Sequence, residues 1–208
     1  MRNVTDRISN PFGMQPPCER FVPGYGDANA HFHVVGDHPG VHGGAETGVP
    51  FTEVAAGRRL QRALHDAGLL RTTGDEPEVE RTFLSYLHTC VPADEPTDDD
   101  YAAMEPFFDA ELRAIAAHVL LPVGERAIRH VLETYTTHDT TGLDSDTLHA
   151  TELLGSGWLV MPIREPSAWE SDDATRLVDA LDRLRATDYR RESDLGRFLP
   201  GSDPYLVR

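Results

Sequence analysis

The sequence predicts an α/β protein, a single domain over residues 1–208 with a three-layer α/β/α architecture and a central four-stranded parallel sheet. Three observations lead there. Four short apolar runs, at 32–35, 82–87, 118–124 and 158–162, read as buried strands. The segments between them carry apolar residues at helical spacing, and strands that alternate with helices of about 10 to 15 residues form a parallel sheet covered on both faces. The length of 208 residues suffices for one full core and is short for two domains of average size.

In chain order, an N-terminal arm (1–29) is too rich in Pro and Gly over 10–17 to be helical, and Val22-Pro23-Gly24-Tyr25-Gly26 reads as a turn. The first strand, 32–35, ends at Gly36-Asp37-His38-Pro39-Gly40, where glycine and proline force a sharp bend. A second polar bend, 43–48, leads to Pro50-Phe51-Thr52. Val54, Leu60, Ala63, Leu64 and Ala67 then mark an amphipathic helix ending near Gly68. An acidic loop, 74–78, precedes the second strand.

The acids of 94–100 favour the positive end of the next helix dipole, and Met104, Phe107, Phe108, Leu112, Ile115 and Ala116 give that helix its apolar face. After the third strand comes a helix over 125–133, then an irregular polar stretch, 134–147. The fourth strand is followed by a helix over 174–186 with Leu177, Val178, Leu181 and Leu184 in phase. In the tail, 187–208, Tyr189, Phe198 and Tyr205 are expected to pack back on the core.

The formal charge is −16, from 35 acidic and 19 basic residues, and all the basic residues are arginine. This profile resembles proteins that work in concentrated salt, where a carboxylate-covered surface stays solvated and its self-repulsion is screened. It argues against binding nucleic acid through a basic groove. In high salt, however, counterion release contributes little, and contacts to DNA rest on hydrogen bonds, stacking and shape. No apolar run approaches the roughly 20 residues of a membrane span, and the first residues lack a signal h-region, so a cytoplasmic monomer without a membrane is expected. Cys18 and Cys90 are too few and too far apart for a disulfide framework or a four-thiolate metal site.

The stretch 31–52 carries the chemistry, because in open α/β folds ligands bind at the carboxyl ends of the strands. One reading of it is a plain strand–loop–helix connection in which Asp37 and His38 cap the turn. Another is a metal site, since His31, His33, Asp37, His38 and His42 are ligand types suited to zinc, manganese or iron, and a metal-dependent hydrolase would use Asp37, His38 and His42. The third is a pocket for a nucleobase.

Val34-Val35-Gly36-Asp37-His38-Pro39-Gly40, followed by Gly48-Val49-Pro50-Phe51-Thr52, resembles the first motif of the uracil-DNA glycosylase superfamily, most closely its family-four branch. The likeness continues over roughly residues 18–170: Thr89-Cys90-Val91-Pro92 resembles the family's Lys-Cys-Arg-Pro-Pro, and Pro166-Ser167 its second motif, His-Pro-Ser. Three departures stand out. Tyr86 occupies the place of the base-reading asparagine, Glu165 that of the histidine, and Met104 that of a cysteine. The upstream Cys-x-x-Cys is missing, so no iron–sulfur cluster or other cofactor is expected.

The resemblance implies cleavage of the bond between deoxyribose and uracil or a related deaminated base in DNA, after the base leaves the stack. It implies Asp37 and Glu165 as catalytic residues. Gly36, His38, Pro39, Gly40, Phe51 and Tyr86 would form the base pocket, with Phe51 as the stacking ring. Pro166 and Ser167 would meet the DNA backbone. The alternative within the family is a relative that binds nucleic acid but acts on another lesion or none. For Glu165 two states are expected: a neutral carboxyl that donates to the departing base, or an anion paired with Arg164 while Tyr86 fills the pocket.

Overall fold

The computed structural model describes residues 15–115, 117–190 and 193. Along them run β1 (Tyr25–Gly26), β2 (Phe32–Gly36), α1 (Pro39–His42), α2 (Ala55–Asp66), β3 (Thr82–Tyr86), α3 (Asp98–Ile115), β4 (Val119–Pro122), α4 (Glu125–Tyr135), α5 (Ser145–Leu148), β5 (Leu153–Leu154), β6 (Leu159–Val160), a 3-10 turn (Pro166–Ala168) and α6 (Asp173–Arg185). Residues 1–14 of the arm, and Phe198 and Tyr205 of the tail, lie outside the described residues.

The sheet has six strands in the order β1-β3-β2-β4-β6-β5. Its inner four, β3-β2-β4-β6, are parallel, with Val34 opposite Leu84 and Leu121. The two edge strands, β1 and β5, run antiparallel to their neighbours. The parallel core is the four-stranded sheet expected from sequence, and the edges are additions to it. Each edge strand has two residues, too few to show a period of two, and Leu154 on β5 is 56% exposed.

Alternation along β2 assigns the layers. Val34 packs with Leu60 and Leu64 of α2 and Leu177, Leu181 and Leu184 of α6. Its neighbour Val35 faces the other way, onto Phe108 and Leu112 of α3 and Ile128 and Val131 of α4. A parallel strand buried on both faces reads as a largely apolar run, as β2 does apart from His33. The N-terminus of α3 is closed reciprocally: the Thr97 amide donates to Asp100 Oδ2 at 2.8 Å, and the Asp100 amide donates to Thr97 Oγ1 at 3.3 Å.

Two expectations need correction. The stretch 134–147 is not wholly irregular, because α4 continues to Tyr135 and Ser145–Leu148 forms one helical turn capped by Asp144. Cys18 and Cys90 are joined in a disulfide across 72 residues. The reason is local: Phe21 bridges Cys90 in antiparallel fashion, and the Val22 amide donates to the Thr89 carbonyl at 2.8 Å, which lays the arm along the exit of β3. In the tail, the Tyr189 hydroxyl lies 2.9 Å from His31 Nδ1 and its ring 5.4 Å from that of Phe32, so this residue packs on the core as expected.

No helix among the described residues is long and apolar enough to cross a membrane.

Candidate active site

From β2 the chain passes through α2 to β3 on one side, and it then returns through α3 to β4 on the other. The connections diverge between β2 and β4, and the crevice outside their carboxyl ends is where such folds bind ligands. Asp37 follows β2, Gly124 follows β4, and Glu165 follows the bridge that ties Ile163 to Val123. Three loops from distant parts of the sequence therefore converge on one spot.

The inner wall of the crevice is a cluster of rings. Tyr86, Phe51 and His42 are fully buried; the His42 ring stacks on Tyr86 at 6.1 Å, and Phe51 lies 5.3 Å from His42 and 5.2 Å from Tyr86. The Tyr86 hydroxyl accepts from the Phe51 amide at 2.7 Å and donates to the Gly43 carbonyl at 2.9 Å. Burial pushes this phenol far above its ordinary range, so it stays a donor. Phe51 has a left-handed backbone (φ 61°), a conformation costly for an aromatic residue, and it is fixed from both ends by Tyr86 and by Gln61 Nε2, which donates to its carbonyl at 2.9 Å. Gly36 leaves room for all three rings, since a Cβ there would lie within 2.8 Å of Phe51, His42 and Tyr86.

This arrangement bears on two expected roles. The Tyr86 hydroxyl is engaged by backbone and does not point a free group at a base. Phe51 is covered by His42 and Tyr86 and presents no open stacking face.

His42 joins the wall to the second-motif loop. Its Nδ1 accepts from the Asp37 amide at 3.1 Å, so the ring hydrogen sits on Nε2, which donates to Glu165 Oε2 at 2.9 Å. Glu165 also accepts from the Ser167 amide at 3.2 Å. Burial raises this carboxyl, but the His42 bond and the Ser167 amide outweigh it and hold it below the ordinary carboxylate range. Glu165 is thus held as an anion, against the expectation of a neutral donor. Its partner is His42 and not Arg164, because Arg164 pairs with Asp173 at 3.0 Å and Asp146 at 2.9 Å. Pro166 is buried, and only Ser167 of the expected backbone-contact pair is exposed.

The outer edge is different in kind. Half-buried Asp37 receives a hydrogen bond on Oδ1 from the Tyr101 hydroxyl of α3. The Arg126 guanidinium of α4 lies 4.2 Å over the Tyr101 ring and is anchored to Asp98 at 3.0 Å. His38 caps α1 by accepting from the Gly40 amide at 3.1 Å, with Pro39 at the first helical position. Its Nε2 is buried without a hydrogen-bond partner, 3.7 Å from Glu95 Oε1, and burial lowers its pKa. Gly40 is a close approach, since a Cβ there would lie 2.8 Å from the His38 ring.

Neither Tyr101 nor Arg126 was legible as a site residue from sequence. The one available signal is a tyrosine in the first turn of a helix whose acidic N-terminus faces the strand ends. His42 was legible only as a metal ligand.

The metal reading finds no support in this geometry. His33 bonds to Ser85 Oγ at 2.7 Å inside the sheet, where burial lowers its pKa to about 3, and His31 turns to Tyr189. Among the described residues, no group of three or more His, Cys, Asp or Glu is placed to hold a metal ion. The iron–sulfur cluster implied by family four does not fit either. It takes four thiolates, whereas the chain has two cysteines, bonded to each other, with the Met104 thioether 3.7 Å from Cys90 Sγ.

Comparison with known proteins agrees with the fold. A type-5 uracil-DNA glycosylase of Thermus thermophilus is 32% identical over 127 residues, which cover 58% of this chain and 58% of the relative. A type-5 uracil-DNA glycosylase of Pyrobaculum aerophilum is 33% identical over 120 residues (55% and 53%), and one of Mycobacterium tuberculosis is 31% identical over 114 residues (52% and 42%). The chain spans about half the length of the curated relatives it matches. The family model of the Uracil DNA glycosylase superfamily matches residues 23–184, from the arm before β1 to the last turns of α6, and the chain belongs to that superfamily.

Proposed function

We propose that this protein is a DNA repair glycosylase that hydrolyses the N-glycosidic bond of uracil or a related deaminated base in DNA, with Asp37 as its catalytic carboxylate. The observation that carries this reading is the placement of Asp37: a half-buried carboxylate at the switch point of a superfamily fold, with one oxygen tied by Tyr101. The C1′–N bond breaks with its electron pair on the base, leaving an oxocarbenium-like sugar that a nearby carboxylate stabilises. Water then adds to C1′, its proton passes to Asp37 and on to the base, and the products are free base and an abasic site.

Glu165, an anion held by His42 and Ser167, serves this reading as part of the wall that shapes the crevice. The names of the matched relatives favour the type-5 branch over family four. The acidic, lysine-free composition suits binding in concentrated salt, with DNA held through arginines, the exposed Ser167 and the loop at Pro39 and Gly40.

The test is release of base from single- and double-stranded oligonucleotides containing uracil, hypoxanthine or xanthine, in high salt with chelator. Release that persists in chelator supports the reading, and chelator-sensitive release or none from any substrate contradicts it. A second reading, a relative that binds nucleic acid without excising uracil, is favoured by the full burial of Phe51 and Tyr86. Specific DNA binding without base release would select it.

A further inference from the structure

Asp37 is fixed from two sides by groups on two helices and on the loop after β3. On the backbone side, its amide donates to His42, and its carbonyl accepts from the His88 amide at 3.0 Å. On the side-chain side, Tyr101 reaches from the first turn of α3 to donate to Oδ1. The Tyr101 ring lies 5.5 Å from the His88 ring and under the Arg126 guanidinium. A guanidinium over a phenol face is an attractive contact. Here it also places a cation next to the Tyr101–Asp37 bond without touching the carboxylate.

A carboxylate on a loop has two free torsions, and a charge-assisted hydrogen bond to one oxygen removes most of that freedom. Burial, followed by the hydrogen bond to Asp37 and its charge, keeps the Tyr101 phenol protonated, so it acts as a donor throughout.

We propose that Tyr101, braced by Arg126, is the positioning residue for the Asp37 carboxylate, holding Oδ1 so that Oδ2 is aimed at the sugar and the attacking water. The inference rests on the glycosylase reading above and deepens it. Tyr101 touches neither base nor sugar in this scheme and acts only through Asp37.

The test is a double-mutant cycle on full-length protein. Single-turnover release of the best wild-type base is measured for Tyr101→Phe, Asp37→Asn and the double variant, and affinity for an oligonucleotide with an abasic analogue is measured by fluorescence anisotropy. Tyr101→Phe keeps the ring under Arg126 and should slow release by about tenfold with affinity unchanged. In the Asp37→Asn background it should slow release no further.

Equal rates for Tyr101→Phe and an active wild type would overturn the inference alone. So would the same loss in both backgrounds, or a loss confined to affinity. A wild type that releases no base from any substrate would remove the glycosylase reading and this inference with it. If Tyr101→Phe does not fold, Arg126→Gln decides in the same cycle, with a smaller loss expected for Asp37 and none for Asn at that position.

Discussion

The two walls of the crevice differ in how they are held. On the inner wall, Tyr86, Phe51 and His42 are fully buried, and both ring nitrogens of His42 and both bonding directions of the Tyr86 hydroxyl are satisfied within the protein. On the outer wall, Asp37 is half-buried, His38 keeps a buried Nε2 without a partner, and the loop after β3 is tied to the arm by the Cys18–Cys90 disulfide. A closed polar network rigidifies and specifies a structure, whereas partly satisfied groups at a crevice are free to meet a ligand. The contrast separates shape from chemistry: the inner wall fixes the crevice, and in the proposed reading the outer wall carries the reactive carboxylate.

The largest expected effect is on the outer wall. Reducing the disulfide, or replacing Cys18 by serine, frees a loop of 72 residues and should lower unfolding free energy by about 4 kcal/mol in the loop-entropy picture. Chemical denaturation with and without a dithiol reductant measures it. An unchanged midpoint would mean that the arm is held by its other contacts and the outer wall is as closed as the inner one.

Next comes the inner wall. Tyr86→Phe keeps the ring and removes the oxygen that pairs with the Phe51 amide and Gly43 carbonyl, leaving a buried N–H without a partner. The expected cost is about 2–3 kcal/mol, read from the same denaturation curves. A loss under about 0.5 kcal/mol would show that the wall is soft.

A smaller effect follows the pH. The Glu165 carboxyl is depressed in the folded protein, so the unfolded chain takes up its proton first as pH falls. Its contribution to stability is complete above the unfolded carboxyl value and is lost as pH drops through the folded value. The stability difference between wild type and Glu165→Gln should therefore be largest near neutrality and shrink on acidification. A difference that grows in acid would mean that Glu165 is held neutral.

The parallel core was legible because its strands are mostly β-branched or apolar runs, two of them ended by Gly, as at Val34-Val35-Gly36 and Val123-Gly124. That Asp37 lies at the carboxyl end of a strand was legible because Gly36, Pro39 and Gly40 end the apolar run there. The use made of Tyr86 and Glu165 was not. Each depends on a partner more than 30 residues away, Gly43 for one and His42 for the other, and nothing local encodes such pairs. Tyr101 meets Asp37 across 64 residues, and Cys18 meets Cys90 across 72, where the isolated bridge between Phe21 and Cys90 lays the arm against the chain after β3. Edge strands of two residues carry no periodicity at all.

The most direct test of the division between the walls is single-turnover base release, in high salt with chelator, by Asp37→Asn and Glu165→Gln side by side. Asp37→Asn should lose about 100-fold or more, while Glu165→Gln, which keeps an acceptor for His42, should lose less than about tenfold. A reversed order, with Glu165→Gln the more damaging and Asp37→Asn near wild type, would contradict the assignment of chemistry to the outer wall.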